Sequence, residues 1–158
     1  MARLADLADW ERQHLLNLRD RAPRFESNPW VEGPPLSRRR VALVSTAGLH
    51  RRGDRPFTGG AGATEYRVIP SDTPSGELAM SHLSVNFDRS GFRRDPNLVF
   101  PLDRLKELAA EGAVGSAADF HYSFMGAPFP PTVFEKSARE LAGLLRRDGV
   151  DAAVLVPV

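Results

Sequence analysis

The chain has 158 residues, of which 42% are hydrophobic and 26% charged, so it suits one ordinary domain with a real core and not global disorder. A net charge of +1 argues against nucleic acid or an anionic membrane as a main partner, and the lack of cysteine excludes a disulfide scaffold or a thiolate metal site within these residues. No apolar run approaches the roughly 20 residues of a membrane helix, and no signal peptide is evident, which predicts a cytoplasmic protein.

The first 39 residues predict a helix and a linker. Leucines at helical spacing favour a helix over residues 2–19. Residues 20–39 are punctuated by four prolines and a glycine, which is typical of a linker. We therefore expect an N-terminal helix and Pro-rich linker, followed by an α/β domain over residues 40–158.

The first part of that domain predicts short strands separated by a long loop. Residues 41–44 form an apolar run that fits a buried strand. Residues 45–64 are rich in glycine and charge and predict a long loop. Residues 66–69 predict a second strand, and residues 78–85 contain a candidate third.

The second part alternates helices and strands. Residues 101–111 predict a helix that begins near a proline and ends before a glycine. Residues 120–124 predict a strand. The next helix is expected to start at a capping box formed by Thr132 and Glu135 and to end before Gly149.

The final apolar run completes the predicted fold. Residues 151–158 read Asp-Ala-Ala-Val-Leu-Val-Pro-Val, a pattern typical of a strand buried on both faces of a parallel sheet. Strands alternating with helices favour right-handed crossovers. The predicted fold class is therefore α/β: a three-layer sandwich with a mostly parallel sheet, plus the N-terminal helix.

Candidate site residues lie near the ends of predicted strands, where open parallel sheets bind ligands. His82 could protonate a leaving amine, since an imidazole titrates near neutral pH; a structural, hydrogen-bonded histidine is the equal alternative. Asp88 could orient His82 or bind an ammonium group, and Asn86 could contact the substrate. Both residues also suit a simple turn.

Two further pairs carry weaker signals. His121 and Ser123 share one face of a strand and could line a pocket, although packing of that face under a helix is the more common arrangement. His50 and Arg51 could clamp a carboxylate, or belong to a solvated charged loop. A metal held by His82, His121 and Asp88 is conceivable, but their spacing does not demand it, and we predict no metal site.

Six segments together resemble the selenoprotein B family of glycine, sarcosine, betaine and D-proline reductases. None is a diagnostic catalytic motif by itself, but their number and order make the resemblance specific. The segments are residues 41–57, 66–70, 80–89, 95–105, 121–126 and 148–158.

The resemblance implies a selenium- or thiol-dependent reductase component. In that family, selenocysteine or cysteine directly follows the strand that matches residues 152–158, and its selenol displaces the amine from a small amino-acid or betaine-like substrate. A pyruvoyl-bearing partner subunit is expected to activate the amino group, and thiol carriers to recycle the selenium. No cofactor is expected within the 158-residue chain itself.

The resemblance also raises an expectation about the chain end. Because neither selenocysteine nor cysteine is present, the sequence suggests a chain that stops just before the redox residue, at a UGA codon following Val158. The alternative is a non-catalytic module of the same fold that binds a small carboxylate or serves subunit assembly. On that alternative the chain is not an enzyme.

Overall fold

A computed structural model describes residues 3–24, 26, 31–83 and 89–158, with only the backbone of Ala61. Short 3-10 turns join the regular elements within these ranges. The strands are β1 Arg40–Ser45, β2 Leu49–Arg51, β3 Tyr66–Pro70, β4 Leu78–Met80, β5 Ser116–Ala117, β6 Phe120–Phe124 and β7 Ala152–Val156. The helices are α1 Asp9–Arg21, α2 Ser90–Arg94, α3 Leu102–Ala110 and α4 Glu135–Arg147.

The main sheet is built around β1. Strands β5 and β6 follow one another along one edge of β1, both parallel to it, and β7 runs parallel along the other edge. Strand β3 pairs with β6 in the antiparallel direction. The sheet is therefore mostly parallel, and the carboxyl ends of β1, β6 and β7 reach the same edge.

Helices cover both faces of this sheet. Leu102 and Leu105 of α3 pack with Val41 and Leu43 on one face. On the other face, Leu141 of α4 packs with alternate residues of β1 and β6, and several aromatic rings complete that cluster. The predicted α/β fold class with helices on either side of a mostly parallel sheet is confirmed.

The expected long loop over residues 45–64 is wrong in part. It contains β2, which forms a two-stranded antiparallel ribbon with β4. Sequence pattern missed β2 because three residues are too few to show periodicity, and the pairing partner lies almost 30 residues away. The candidate strand over residues 78–85 is reduced to β4, and part of that segment lies outside the described residues.

The expected capping box of α4 is also wrong. Thr132 lies in a 3-10 turn, α4 begins at Glu135, and the capping position is Phe134, which gives no side-chain hydrogen bond. The 3-10 turn moves the capping position by two residues, from Thr132 to Phe134, so Thr132 and Glu135 do not occupy the capping-box positions. Gly149 does end the helix, with φ +66.

Strand β7 is an edge strand, which corrects the expectation of burial on both faces. It pairs with β1 alone among the described residues, and the Leu155 side chain is 71% exposed. Within the described residues its outer backbone edge is therefore unpaired, and several of its apolar side chains lie at the surface.

The N-terminal region differs in detail from the predicted helix. Residues 4–6 form a 3-10 turn and α1 follows after a short break. No described helix is both long and apolar enough to cross a membrane. The division into a linker region and a domain at residue 40 stays a prediction.

Candidate active site at the carboxyl ends of the strands

Three chain segments meet beyond the carboxyl ends of β1, β6 and β7. Thr46, the residue after β1, continues the ladder by donating its amide to the carbonyl of Val156 at 3.1 Å. The Val158 amide then donates to Oγ1 of Thr46 at 2.8 Å, and that hydroxyl lies 3.3 Å from the Val158 carbonyl oxygen. The Thr46 hydroxyl thus binds the Val158 backbone just past β7, where regular pairing with β1 has ended.

Gly126 brings the third segment close. A Cβ at this position would lie 2.8 Å from the Val158 carbonyl oxygen and 3.0 Å from that of Thr46. Contacts this short are not tolerated by a side chain without movement of the backbone, so glycine allows the segment after β6 to approach the other two. We call Thr46, His82, Gly126 and Val158 the strand-end cluster.

The β2–β4 ribbon delivers His82 to this cluster. The Ser81 amide donates to the carbonyl of Gly48 at 2.9 Å, which ties the end of the ribbon to the loop after β1. His82 is only 3% exposed, and the backbone of Val158 lies close enough to its imidazole to favour the protonated ring.

Burial sets the charge state of His82. Desolvation lowers the pKa of the imidazole below its usual range, and Arg89 lowers it further; the Val158 backbone acts in the opposite direction. The neutral ring is therefore favoured at pH 7, and the protonated ring, once formed, is a stronger acid than a solvent-exposed histidine.

Arg89 is a neighbour that sequence pattern did not reveal. Its guanidinium hydrogen-bonds the carbonyl oxygen of His82. This contact brings a cation to the carboxyl edge. Asn86 and Asp88, the other candidates of this segment, lie outside the described residues, so their roles stay predictions.

His50 and Arg51 do not form an open carboxylate clamp in this arrangement. His50 is buried; its Nδ1 donates to the Arg51 carbonyl at 2.9 Å, which leaves Nε2 to accept from the Ser81 hydroxyl at 2.9 Å. The Arg51 guanidinium pairs with Asp54 at 3.1 Å. Both side chains thus support the ribbon, and substrate binding by them stays a prediction.

His121 and Ser123 lie on the predicted common face, under the α3 layer. Nδ1 of His121 accepts the Leu43 amide at 3.0 Å, and the Ser123 hydroxyl accepts the Leu49 amide at 2.8 Å. Both are 0% exposed, and burial lowers the pKa of His121 to about 4. The two side chains thus lie on a packed face of the sheet, which was the more common arrangement expected for such a pair. A catalytic role for His121 and a binding role for Ser123 stay predictions.

The structure thus brings only His82, of the described candidates, to the strand-end cluster. Thr46 and Gly126 were missed; the usable signal was their place one and two residues after strands that end at one edge of a parallel sheet. Within the described ranges, no group of three histidine, aspartate or glutamate side chains is placed to hold a metal ion.

Comparison with known proteins shows which family and which proteins this chain is similar to. The family model described as glycine/sarcosine/betaine reductase selenoprotein B matches residues 20–158. The D-proline reductase subunit gamma of Acetoanaerobium sticklandii is 36% identical over 116 residues, covering 73% of this chain and 47% of the relative.

Two other relatives are named as subunits of multi-component reductases. The sarcosine reductase complex component B subunit beta of Peptoclostridium acidaminophilum is 29% identical, covering 92% of this chain and 33% of its own length. The glycine reductase complex component B subunit gamma of Symbiobacterium thermophilum is 28% identical, covering 84% of this chain and 31% of the relative. No solved structure matches the chain.

The chain spans less than half the length of these curated relatives. The family match nevertheless covers the whole α/β domain and all of the strand-end cluster. The chain belongs to the glycine/sarcosine/betaine reductase selenoprotein B family.

Proposed function

We propose that this chain is part of a reductase component that cleaves the C–N bond of a small amino-acid or betaine-like substrate, with a dithiol as electron donor. The observation that supports the proposal is the buried His82, which lies near the Val158 backbone at the carboxyl ends of three parallel strands. Ligand sites of open α/β sheets lie at this edge.

The residues of the strand-end cluster suit such chemistry. His82 supplies the proton that the leaving amine needs, and its lowered pKa makes the protonated ring a strong donor. Gly126 keeps side chains out of the junction, and Arg89 adds a positive charge suited to a substrate carboxylate.

The redox group lies outside these residues on this proposal, since the chain has no cysteine. A selenol or thiol of such a reductase supplies the nucleophile that displaces the amine. We further propose a pyruvoyl-bearing partner subunit and a thiol carrier. A cytoplasmic location and selenocysteine at the position after Val158 stay predictions.

The test uses the complex from the native host. The chain is tagged at its chromosomal locus, the assembly is purified, and D-proline, glycine, sarcosine and betaine are each incubated with it and dithiothreitol. Mass spectrometry of the products is expected to show dithiol-dependent C–N cleavage of at least one substrate. An intact assembly that cleaves none of them contradicts the proposal.

One observation favours a second candidate, an assembly module without catalysis. An apolar cavity of about 270 Å³ opens between α4 and the β7 edge, lined by Phe134, Leu141, Leu145 and Leu155 among others. An exposed apolar edge strand is a common subunit contact. Co-purification of stoichiometric partners without any C–N cleavage is the outcome that supports this role.

A further inference from the structure

The outer edge of β7 presents backbone groups that no described strand pairs with. The Val156 carbonyl accepts the Thr46 amide at 3.1 Å, so Val156 turns its backbone groups toward β1. Because these groups alternate in direction along a strand, the amides and carbonyls of Ala153 and Leu155 point away from β1. Within the described residues, this edge can therefore accept a further strand.

The side chains beside this edge are apolar. Ala153 and Leu155 face α4 and, with Ala138 and Ala142 of that helix, line part of the apolar cavity of about 270 Å³. The Leu155 side chain is 71% exposed, and Val154, on the opposite face, is 43% exposed. Exposed apolar groups on an unpaired strand are typical of a surface that another strand covers.

We propose that a second copy of this chain covers the β7 edge. The two β7 strands pair antiparallel about a twofold axis beside Val154, so that one sheet continues through both copies. Ala153 of one copy then lies opposite Leu155 of the second copy, and such opposed residues exchange both of their N–H···O=C bonds. This inference does not depend on the proposed function, because it uses no residue of the strand-end cluster.

The backbone selects the register about Val154. A shift that opposes Ala153 and Pro157 leaves the Ala153 carbonyl without a donor, since proline has no amide proton. The reverse shift opposes Leu155 and Asp151, whose amide already donates to a carbonyl of β1 at 3.1 Å. The register about Val154 uses every outward group, and on the α4 side it sets a small side chain against a large one in both halves.

Helix α4 runs antiparallel to β7 and spans its whole length. At the carboxyl end of the sheet, the Phe134 ring lies 5.4 Å from the ring of Phe124, between centroids. At the amino end, Asp148, which follows the helix, binds Arg40. The middle of α4 is therefore level with Val154, and the same twofold axis relates the two helices end to end.

The charges on α4 are complementary under that axis. Glu135, Arg139, Ala142 and Arg146 are exposed and recur at helical spacing on the side that adjoins the cavity. Glu135, which also pairs with Arg139 of its own helix at 2.7 Å, then faces Arg146 of the second copy. Arg139 faces the small Ala142 of the second copy. Opposite charges thus meet at both ends of the helix pair, which favours self-association.

Sedimentation equilibrium of the 158-residue chain is the first test, and the expected mass is twice the 17.4 kDa of one copy. Leu155→Glu should raise the dissociation constant at least about 100-fold, because it places unpaired charges in the contact. Leu98→Glu, at a leucine that is 65% exposed elsewhere, should keep the parental value. A parent chain that stays monomeric up to about 1 mM overturns the inference.

Disulfide trapping tests the register, since the chain has no cysteine of its own. Val154→Cys places one thiol of each copy beside the axis, where opposed Cα atoms lie about 4.5 Å apart, within the range of a disulfide. Val68→Cys is the matched control, because Val68 is 40% exposed on the other edge strand, β3. Mild oxidation should link Val154→Cys at least about 10-fold faster. Equal rates contradict the pairing of β7 with itself.

A charge exchange tests the helix contact. Glu135→Arg and Arg146→Glu should each weaken the dimer about 5- to 30-fold, whereas the double variant should regain most of the affinity. Glu140→Arg, on the side of α4 that faces Tyr66, should leave the affinity unchanged. A double variant as weak as the single ones contradicts the arrangement.

The native assembly distinguishes a second copy from another occupant. After oxidation of Val154→Cys in that assembly, mass spectrometry should find the peptide containing residue 154 joined to a second copy of itself. Its linkage to a different polypeptide overturns the inference, because another chain then covers β7. None of these measurements requires C–N cleavage, so an inactive assembly refutes the proposed function and still decides the pairing.

Discussion

The two ends of the parallel sheet are held together by different chemistry. At the amino end, the Asp148 carboxylate accepts the Arg40 guanidinium and the backbone amides of Asp119 and Phe120, the last two at 2.9 and 3.2 Å. At the carboxyl end, the Thr46 hydroxyl and the close approach of Gly126 bring three backbone segments together beside the buried His82.

The difference separates an ion-paired end of the sheet from the end where we propose that the chemistry takes place. The charge of Asp148 at the amino end is paired with Arg40: burial raises the pKa of Asp148, but its bonds to Arg40 and to backbone amides outweigh this and leave the pKa lowered overall. An ion pair and backbone hydrogen bonds therefore stabilise the amino end of the sheet. At the carboxyl end the His82 imidazole is buried, and desolvation lowers its pKa, so the neutral ring is favoured at pH 7.

The largest expected effect is on catalysis at the carboxyl end. His82→Gln keeps a polar side chain but cannot be protonated, so kcat of the native complex should fall about 100- to 10,000-fold. The parental profile should lose activity as pH rises through the His82 pKa, which lies below the usual value for histidine because the ring is buried. Steady-state assays across pH measure both.

His14→Gln is the matched control for this variant, since His14 is exposed on α1. It should keep parental kcat and pH dependence. Parental kcat in His82→Gln, or an equal loss in both variants, would contradict a role for His82 in proton transfer.

The next effect tests the amino end. Asp148→Asn removes the charge that Arg40 binds, and the side chain is only 8% exposed, so unfolding free energy should drop by about 2–4 kcal/mol. Urea denaturation measures the change. Asp119 binds the same guanidinium at 2.9 Å but is 75% exposed, so Asp119→Asn should cost less than about 1 kcal/mol.

A similar loss for both aspartates would mean that exposure does not decide the strength of these ion pairs. Unchanged stability in Asp148→Asn would show that the ion pair with Arg40 does not stabilise the amino end of the sheet.

A third expected effect is a pH dependence of stability that arises from His121 on β6, between the two ends. The unfolded chain protonates His121 near pH 6.5, whereas burial lowers its folded pKa to about 4. The unfolded state therefore binds more protons between these values, and stability is lost as pH falls through this window. The loss from this residue should reach about 2 kcal/mol at pH 5.

His121→Asn tests the assignment, because its Oδ1 can still accept the Leu43 amide but does not titrate. Urea denaturation between pH 7 and 5 should show a shallower loss in this variant, while His14→Gln keeps the parental slope. A parental slope in His121→Asn would place the acid sensitivity elsewhere.

The smallest effects compare two glycines. Gly126→Ala puts a methyl group against two carbonyl oxygens and should cost about 1–3 kcal/mol. Gly143 lies inside α4, where an added Cβ meets only the end of the Arg147 side chain at 3.8 Å, so Gly143→Ala should gain about 0.5–1 kcal/mol. Thermal unfolding with opposite signs for the pair would support the close approach at Gly126.

The sequence by itself determined the fold class, the family and several element boundaries. Strand β6 and the glycine end of α4 follow from local signals: a run of strand-forming residues, and a backbone conformation that glycine adopts without strain. These features depend on near neighbours in the chain, which a sequence displays directly.

Only the tertiary structure decided which polar residues meet. Strand β2 forms because β4 pairs with it from almost 30 residues away, and β7 pairs with β1 alone among the described strands, which leaves its outer backbone edge unpaired. Likewise, Thr46, His82, Gly126 and Val158 are far apart in sequence and meet because three parallel strands end together. Contacts across such distances depend on register and packing, which residue spacing does not contain.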